Sequence, residues 1–584
     1  MIPSVLSRQI EQGIKDFLST TFYVTTPFFH GMLEQFLNTP GELFKGPYLS
    51  VNLPFRQGEP ESQYFFSDIP VAFVPFEHQE NAFKRLSAPN PEPAIIATGT
   101  GSGKTECFTY PILDHCRRHI GQPGIKAVLI YPMNALAYDQ ATRLAKVIWN
   151  TPALKGKVTA GMYVGQAEKS PQSVMTENSV ITDKGLLRGS PPDILMTNYK
   201  MLDYLMTRPR DAKLWEQNGP ETLRYSVVDE LHTFDGAQGT DLACLLRRLK
   251  TKLGAPAHYV CPVGTSATLG GKESIGRLCD YAARIFGEPF APDAIITESK
   301  KTPGEFTSDR KGADDREFDT SFIPPPDQYS ILLPESYPDY PSWMRSQVKL
   351  WTGIEISVEQ WNAHQWRVLL GEALKRHLFF RNLLQVLEGQ ARHYDTVLSG
   401  LTPTAKELQS GDPSYQIHLV NSMVALICEA RAGDQKHPRP FLHVRIQHWC
   451  RELRRMVVSV EEKPRIRFAD DLTDDERQKH LPAVHCRECG LMGWAGKSPL
   501  HGSRIDTDLQ SIYVEFFKSK TDKRLYFIFP VNKGDPLDSY AGQRRNLCPA
   551  CNNINREISG SCVSCGSDRK VLVDIPDQVS HSAG

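Results

Sequence analysis

The octapeptide Thr98-Gly99-Thr100-Gly101-Ser102-Gly103-Lys104-Thr105 follows directly on the apolar run Ala94–Ala97. A glycine-rich turn between a strand and a helix turns backbone N–H groups toward phosphate oxygens, and the helix N-terminus adds the positive end of its dipole. In that setting the Lys104 ammonium reaches the β- and γ-phosphates and the Thr105 hydroxyl binds Mg²⁺. The usual form of this loop has Gly where this chain has Thr98. A second constellation is Ser226-Val227-Val228-Asp229-Glu230-Leu231-His232, an apolar run ending in two carboxylates. At the carboxyl end of a buried strand, Asp229 would hold Mg²⁺ and Glu230 would polarise an attacking water. Alone, such an acidic pair is as readily a solvated face. The strand before it and the phosphate loop upstream favour the catalytic reading.

A third group is cysteine chemistry. Six of the 13 cysteines form three C-x-x-C pairs near the C-terminus: Cys486 and Cys489, Cys548 and Cys551, Cys562 and Cys565. Zn²⁺ takes four ligands in a tetrahedron, and each C-x-x-C turn supplies two. The short separation of the last two pairs makes Cys548, Cys551, Cys562 and Cys565 the preferred set. Pairing Cys486 and Cys489 with Cys548 and Cys551 is the rival. A second site completed by a nearby histidine or by residues beyond Gly584 also stays open. An odd total with metal-ligand spacing fits a reducing compartment better than a disulfide framework.

These groups must be positioned by several domains, since the chain has 584 residues and domains run to roughly 100–200. Lys+Arg and Asp+Glu are both 67, and the hydrophobic fraction is 40%. That composition excludes collagen-like, disordered and membrane-embedded classes, and also a uniformly basic nucleic-acid coat. No stretch reaches the roughly 18 consecutive apolar residues of a membrane span, and residues 1–18 read as an amphipathic helix rather than a signal peptide. The expected localisation is cytoplasmic, with no membrane partner.

Short apolar runs at Ala94–Ala97, Ala127–Tyr131, Ile194–Thr197, Ser226–Val228 and Tyr259–Val263 alternate with helical patterns. That βαβ rhythm predicts an α/β fold with a buried parallel sheet. Prolines and acidic residues over 300–345 suggest a linker or surface excursion. Helical periodicity returns over 355–400 and again from about Ile417 to Met456. Residues 480–570 are cysteine-punctuated and strand-like, as at Ser511–Phe517 and Arg524–Phe529. The resulting division is an entry region over 1–75, a nucleotide-binding domain over 76–290, a Pro-rich linker over 291–350, a helical region over 351–480 and a zinc module over 481–575.

With both phosphate-site boxes in place, the chain resembles superfamily 2 helicases of the DEAD/DEAH-box type over about residues 70–275. The resemblance implies a RecA-like P-loop domain that binds ATP and Mg²⁺ and acts on nucleic acid, with DNA favoured over RNA. Within it, Gln79 of Pro75-Phe76-Glu77-His78-Gln79 resembles the glutamine that reads adenine. Tyr131-Pro132-Met133-Asn134-Ala135-Leu136 and Thr197-Asn198-Tyr199 resemble motifs that grip a nucleic-acid backbone. Ser266-Ala267-Thr268 resembles the motif coupling hydrolysis to strand movement. Read alone, Gln79 is a surface glutamine, Thr197 a buried strand residue bonded to backbone, and Ser266 and Thr268 a strand end. Glu106-Cys107-Phe108 and Cys486-Arg487-Glu488-Cys489-Gly490 are similar to large bacterial cysteine-motif helicases, some of phage-defence systems such as Druantia and DISARM and others of repair.

Such enzymes complete the ATP site with arginines from a second RecA-like lobe, worth about 10³–10⁵ in rate. No Q-x-x-G-R-x-x-R-like motif occurs in residues 273–584. Gln543-Arg544-Arg545 lacks the glycine and the second arginine. The expectation is an ATP-binding half that needs a partner lobe or defence-system partner, binds ATP–Mg²⁺, hydrolyses it slowly and does not unwind duplexes alone. The alternative is a non-catalytic nucleotide-binding scaffold or split subunit, and a third reading is a double-stranded-DNA translocase.

Overall fold

A computed structural model describes residues 3–87, 89–99, 101–165, 170–267, 274–308, 321–363, 365–410, 412–433, 438–497, 503–517, 525–531, 542–556 and 560–576. Two compact units divide the chain. One comprises residues 53–302, and the other combines 1–52 with 303–584.

The unit over 53–302 is built on runs too short and too apolar to sit anywhere but inside a sheet. Its strands are β1 (Ala94–Ala97), β2 (Ala127–Tyr131), β3 (Ala160–Tyr163), β4 (Ile194–Asn198), β5 (Tyr225–Val228), β6 (Cys261–Ser266) and β7 (Ile295–Thr297). They form a seven-stranded sheet in the order β3-β4-β2-β5-β6-β1-β7. Every pairing is parallel. Alternation splits each run between two cores. Ala94, Ile96, Ala127, Leu129 and Tyr131 face one layer of helices, while Ile95, Ala97, Val128 and Ile130 face the other. The first layer includes α1 (Glu77–Leu86), α2 (Lys104–Arg118) and α3 (Asn134–Asn150); the second includes α4 (Tyr199–Thr207), α5 (Gly236–Leu253) and α6 (Ile275–Phe286). Burial on both faces is why these strands read as continuous apolar stretches rather than alternating ones. The strand order reverses beside β1, which puts the loops after β1, β5 and β6 at one sheet edge, where open α/β sheets bind ligands.

The other unit holds an eight-stranded antiparallel sheet. Its strands are β8 (Met456–Ser459), β9 (Ile466–Phe468), β10 (His480–His485), β11 (Met492–Lys497), β12 (Leu525–Pro530), β13 (Gly542–Leu547), β14 (Ile554–Arg556) and β15 (Val571–Pro576). The order is β9-β8-β10-β11-β12-β15-β13-β14. Val458, Leu481, Trp494, Ile528, Leu547 and Val573 form its core. Phe28 and Phe29 meet Trp494 edge-on at 5.6 and 4.9 Å between ring centroids. The unit also holds helices Tyr340–Thr352, Gln365–Lys375, Leu378–Leu387, Tyr394–Leu401 and Pro413–Glu429.

Several segments differ from their sequence-based expectation. Ser511–Phe517 lies in a helix, Leu509–Phe517, rather than a strand. Its aromatic and β-branched content favours strand, but the buried positions are Leu509, Ile512 and Glu515, a helical spacing set by the surface it covers. The helix expected from Ile417 to Met456 ends at Glu429, and His443–Cys450 is a strand antiparallel to Phe44–Asn52. The partner lies almost 400 residues earlier, so no local pattern announces it. Within the stretch expected as linker, Ile295–Thr297 is β7, and helix Tyr340–Thr352 buries Trp343, Met344, Val348 and Trp351. Residues 309–320 of that stretch lie outside the described residues.

Candidate functional site

The loop after β1 turns on two glycines with left-handed backbone, Gly101 at φ +82° and Gly103 at φ +78°. A side chain is strained at such angles. At Gly103 a Cβ would also collide with the Gln79 amide. Helix α2 starts immediately afterwards, with Lys104 and Thr105 as its first two residues. The buried Thr98 and Ser102 hydroxyls hydrogen-bond across the loop at 2.6 Å, which accounts for Thr98 in place of glycine. Thr100 lies outside the described residues.

Helix α1 holds the loop from below. His78 Nε2 lies 2.8 Å from the Ser102 carbonyl, and its ring is fully buried. Burial pulls its pKa below the ordinary imidazole value, while the Ser102 carbonyl opposes that. Gln79 Nε2 donates to the Gly103 carbonyl at 3.1 Å, and its Oε1 accepts from the Phe76 N–H at 2.9 Å. Gln79 is buried, so its amide ties the start of α1 to the phosphate loop. A third brace was not anticipated from sequence. Glu298, just past β7, accepts the Gly99 N–H at 2.6 Å and pairs with Lys300 at 2.5 Å.

The acidic pair arrives at the same edge from β5. Lys104 Nζ and Glu230 Oε1 are 3.4 Å apart. Asp229 is buried, and desolvation raises its pKa; the Glu230 charge adds to that rise while the Thr265 hydroxyl opposes it. Glu230 has φ +50°, a conformation that costs a non-glycine residue about 1–3 kcal/mol. His232 Nδ1 lies 3.4 Å from the other Glu230 oxygen. Thr265 on β6 organises this turn: its hydroxyl donates to Asp229 Oδ1 and accepts the Glu230 N–H at 3.0 Å. Sequence reading singled out the neighbouring Ser266-Ala267-Thr268 and missed Thr265. Parallel register pairs Val228 with Gly264, which sets the next residues, Asp229 and Thr265, side by side. Ser266 is buried and Thr268 lies outside the described residues.

The two motifs assigned to nucleic-acid contact lie on adjacent strands, where Tyr131 pairs with Asn198. Asn198 Nδ2 donates to Asn134 Oδ1 at 2.8 Å, and Asn198 Oδ1 caps α4 by accepting the Met201 N–H at 2.7 Å. Thr197 is fully buried, with its hydroxyl donating to the Tyr163 carbonyl at 2.7 Å. That is the geometry of a backbone-satisfied strand residue. Met133 is 63% exposed and stands at the surface of this pair of loops.

In the other unit the four sulfurs of Cys548, Cys551, Cys562 and Cys565 lie within 4.8 Å of one another. Cys548 Sγ to Cys565 Sγ and Cys551 Sγ to Cys562 Sγ are both 3.6 Å. A zinc ion with Zn–S bonds of about 2.3 Å requires tetrahedron edges of about 3.8 Å, so the donor set fits Zn²⁺. Among the described residues, Cys486 and Cys489 belong to no such group of three or more; both are exposed, on the loop between β10 and β11.

A family comparison decides what the phosphate-site geometry belongs to. Residues 76–275 match the DEAD/DEAH box helicase model. This segment is a DEAD/DEAH box helicase domain. Among relatives, the Druantia protein DruE of Escherichia coli is 25% identical over 343 residues, covering 42% of this chain and 18% of DruE. The ATP-dependent helicase YprA of Bacillus subtilis is 27% identical over 224 residues, covering 37% of this chain and 26% of YprA. The ATP-dependent helicase HRQ1 of Saccharomyces cerevisiae is 28% identical over 174 residues, covering 30% of this chain and 14% of HRQ1. The chain thus spans less than a third of the length of each. Among solved structures, the DUF1998 helicase MrfA bound to DNA and AMPPNP aligns with a TM-score of 0.32 at 22% identity, over 46% of this chain and 33% of MrfA. No described helix is long and apolar enough to cross a membrane.

Proposed function

We propose that this chain is the ATP-binding part of a nucleic-acid helicase or translocase that acts on DNA in preference to RNA. One observation carries the reading: Lys104, Asp229 and Glu230 converge on one sheet edge beside the glycine loop, with Lys104 and Glu230 3.4 Å apart. The N–H groups of Gly101–Thr105 and the Lys104 ammonium would hold the triphosphate, while Thr105 and Asp229 would hold Mg²⁺. The bound ion would neutralise developing charge on the phosphates. A triphosphate arriving at Lys104 competes with Glu230 for the ammonium. The released Glu230 carboxylate can then orient a water and accept its proton. Gln79 and His78 act through the loop they brace. A nucleic-acid strand would cross the loops of Tyr131–Leu136 and Asn198–Tyr199, contacting backbone rather than bases.

The relatives are three or more times longer than the segment shared with them, and a second RecA-like lobe is what this reading still requires for a complete ATP site. Zn²⁺ at Cys548, Cys551, Cys562 and Cys565 would have a structural role, since four thiolates leave no open position. The test is ATP turnover by the purified chain with single-stranded DNA, duplex DNA or RNA, beside Lys104→Ala. DNA-stimulated turnover that the variant lacks supports the proposal. Nucleotide binding without any stimulation would turn it toward a nucleotide-gated docking platform.

A further inference from the structure

Cys486 and Cys489 are left unexplained by the zinc cluster. The loop that carries them joins two strands of a hairpin, β10 and β11, and a hairpin needs no cysteine. Both thiols are exposed, so core packing does not account for them either.

Their backbone has the same form as the two halves of the four-cysteine cluster. In that cluster the Cys548 N–H donates to the Asn553 carbonyl at 3.0 Å and the Asn552 N–H returns to the Cys548 carbonyl at 2.9 Å. The Cys562 N–H likewise donates to Ser567 at 2.9 Å, and the Gly566 N–H returns to Cys562 at 2.8 Å. At the third pair the Cys486 N–H donates to Leu491 at 2.9 Å, and the Gly490 N–H returns to Cys486 at 2.9 Å. The residue after each second cysteine is left-handed: Asn552 at φ +52°, Gly566 at +70° and Gly490 at +72°.

The third turn is held in this shape from outside. Thr25 N–H donates to the Gly490 carbonyl at 2.9 Å, Thr25 Oγ1 to the Cys489 carbonyl at 3.0 Å and the Tyr23 hydroxyl to the Glu488 carbonyl at 2.9 Å. A Cβ at Gly490 would strike the Tyr23 ring and carbonyl. Residues 23–25 therefore clasp every carbonyl from Glu488 to Gly490 and leave the two sulfurs facing out.

We propose that Cys486 and Cys489 form a second metal site, an open two-thiolate half-site for Zn²⁺ or a similar soft divalent ion. Its two remaining coordination positions face solvent and take water or an exogenous thiol. With two thiolates instead of four, it binds more weakly than the Cys548–Cys565 cluster and fills after it.

The test is Co²⁺ titration of the full chain, stripped of zinc under a non-coordinating reductant and followed by its visible d–d bands. Two successive equivalents are expected, with the second weaker in affinity and distinct in spectrum. The double variant C486S/C489S should take up the first equivalent unchanged and lose the second. Cys450→Ser, an exposed cysteine outside both sites, should keep both and so controls for stray thiol binding. A wild-type chain that saturates at one equivalent overturns the proposal. So does a second equivalent that survives in C486S/C489S or vanishes in Cys450→Ser.

Discussion

The parallel sheet over 94–297 and the antiparallel sheet over 456–576 solve the same problem, holding charged ligand groups at fixed distances, by opposite means. The first buries its strands on both faces and presents the site on loops at one edge, where α1, α2, β5, β6 and the segment after β7 each contribute a side chain. The second carries its donors within two short turns that close on themselves through local backbone bonds. A site assembled from five elements depends on the sheet beneath it. A site made of two turns depends on its ion, because burying few apolar residues leaves little else to hold such loops.

That contrast sets the sizes of the effects expected on breaking each. Zinc removal, or Cys548→Ser with Cys551→Ser, forfeits the folding contribution of a structural Zn²⁺, about 10–16 kcal/mol in small zinc domains. Amide exchange should lose protection over 542–576 while nucleotide affinity persists; retained protection would show that the cluster is not what orders those strands. Lys104→Ala removes two charge-assisted hydrogen bonds to phosphate, each worth about 1.5–3 kcal/mol, so nucleotide affinity should fall by about 10²–10⁴-fold with zinc content unchanged. Calorimetric titration with a non-hydrolysable ATP analogue reads this directly.

Thr265→Val should cost less. It strips one hydrogen bond from a buried carboxylate and leaves the Glu230 N–H unpaired, about 1.5–3 kcal/mol or roughly 10–100-fold in turnover. The loss should concentrate in the Mg²⁺ dependence, and a variant with normal Mg²⁺ response would deny Thr265 its positioning role.

The smallest effects are those of pH. Burial raises the Asp229 pKa, and Mg²⁺ requires the ionised form. Nucleotide–Mg²⁺ binding should therefore weaken as pH falls toward that raised value and should release a proton, which titrations in buffers of different ionisation enthalpy reveal. Each unit also buries a histidine in its neutral form. Desolvation lowers His115 to about 3 and His377 to about 4. The unfolded chain binds a proton at each from about pH 6.5 downward while the folded chain does not. Stability is therefore present above that pH and declines as pH falls through it toward the folded values, by denaturant titration. Equal denaturation midpoints at neutral and mildly acid pH would contradict this.

How much of the molecule could be read in advance follows the same division between local and distant causes. The glycine loop was legible because its conformation, donors and lysine all lie in one octapeptide that follows one apolar run. The pairing of Cys548 and Cys551 with Cys562 and Cys565 was legible because ten intervening residues can barely do otherwise. Thr265 was not, because nothing in its own neighbours places it beside Asp229; the pairing of β5 with β6 does. Gln79 was legible as a residue of the site from its spacing before the loop, but the bonds of its amide to Phe76 and Gly103 depend on how α1 lies against the loop after β1.

By itself the sequence determined which short segments carry chemistry and which runs must be buried, since φ preferences, hydrophobicity and ligand type are properties of single residues and their near neighbours. Only the tertiary structure decided which segments meet. Strand His443–Cys450 exists because Phe44–Asn52 offers it hydrogen bonds, and helix Leu509–Phe517 exists despite its composition because one face of it is covered. The same holds at the third cysteine turn, whose shape is local but whose clasp, Tyr23 to Thr25, comes from the other end of the chain. Pairing energies between distant segments outweigh local preferences of a few tenths of a kcal/mol per residue, and no window of sequence contains both partners.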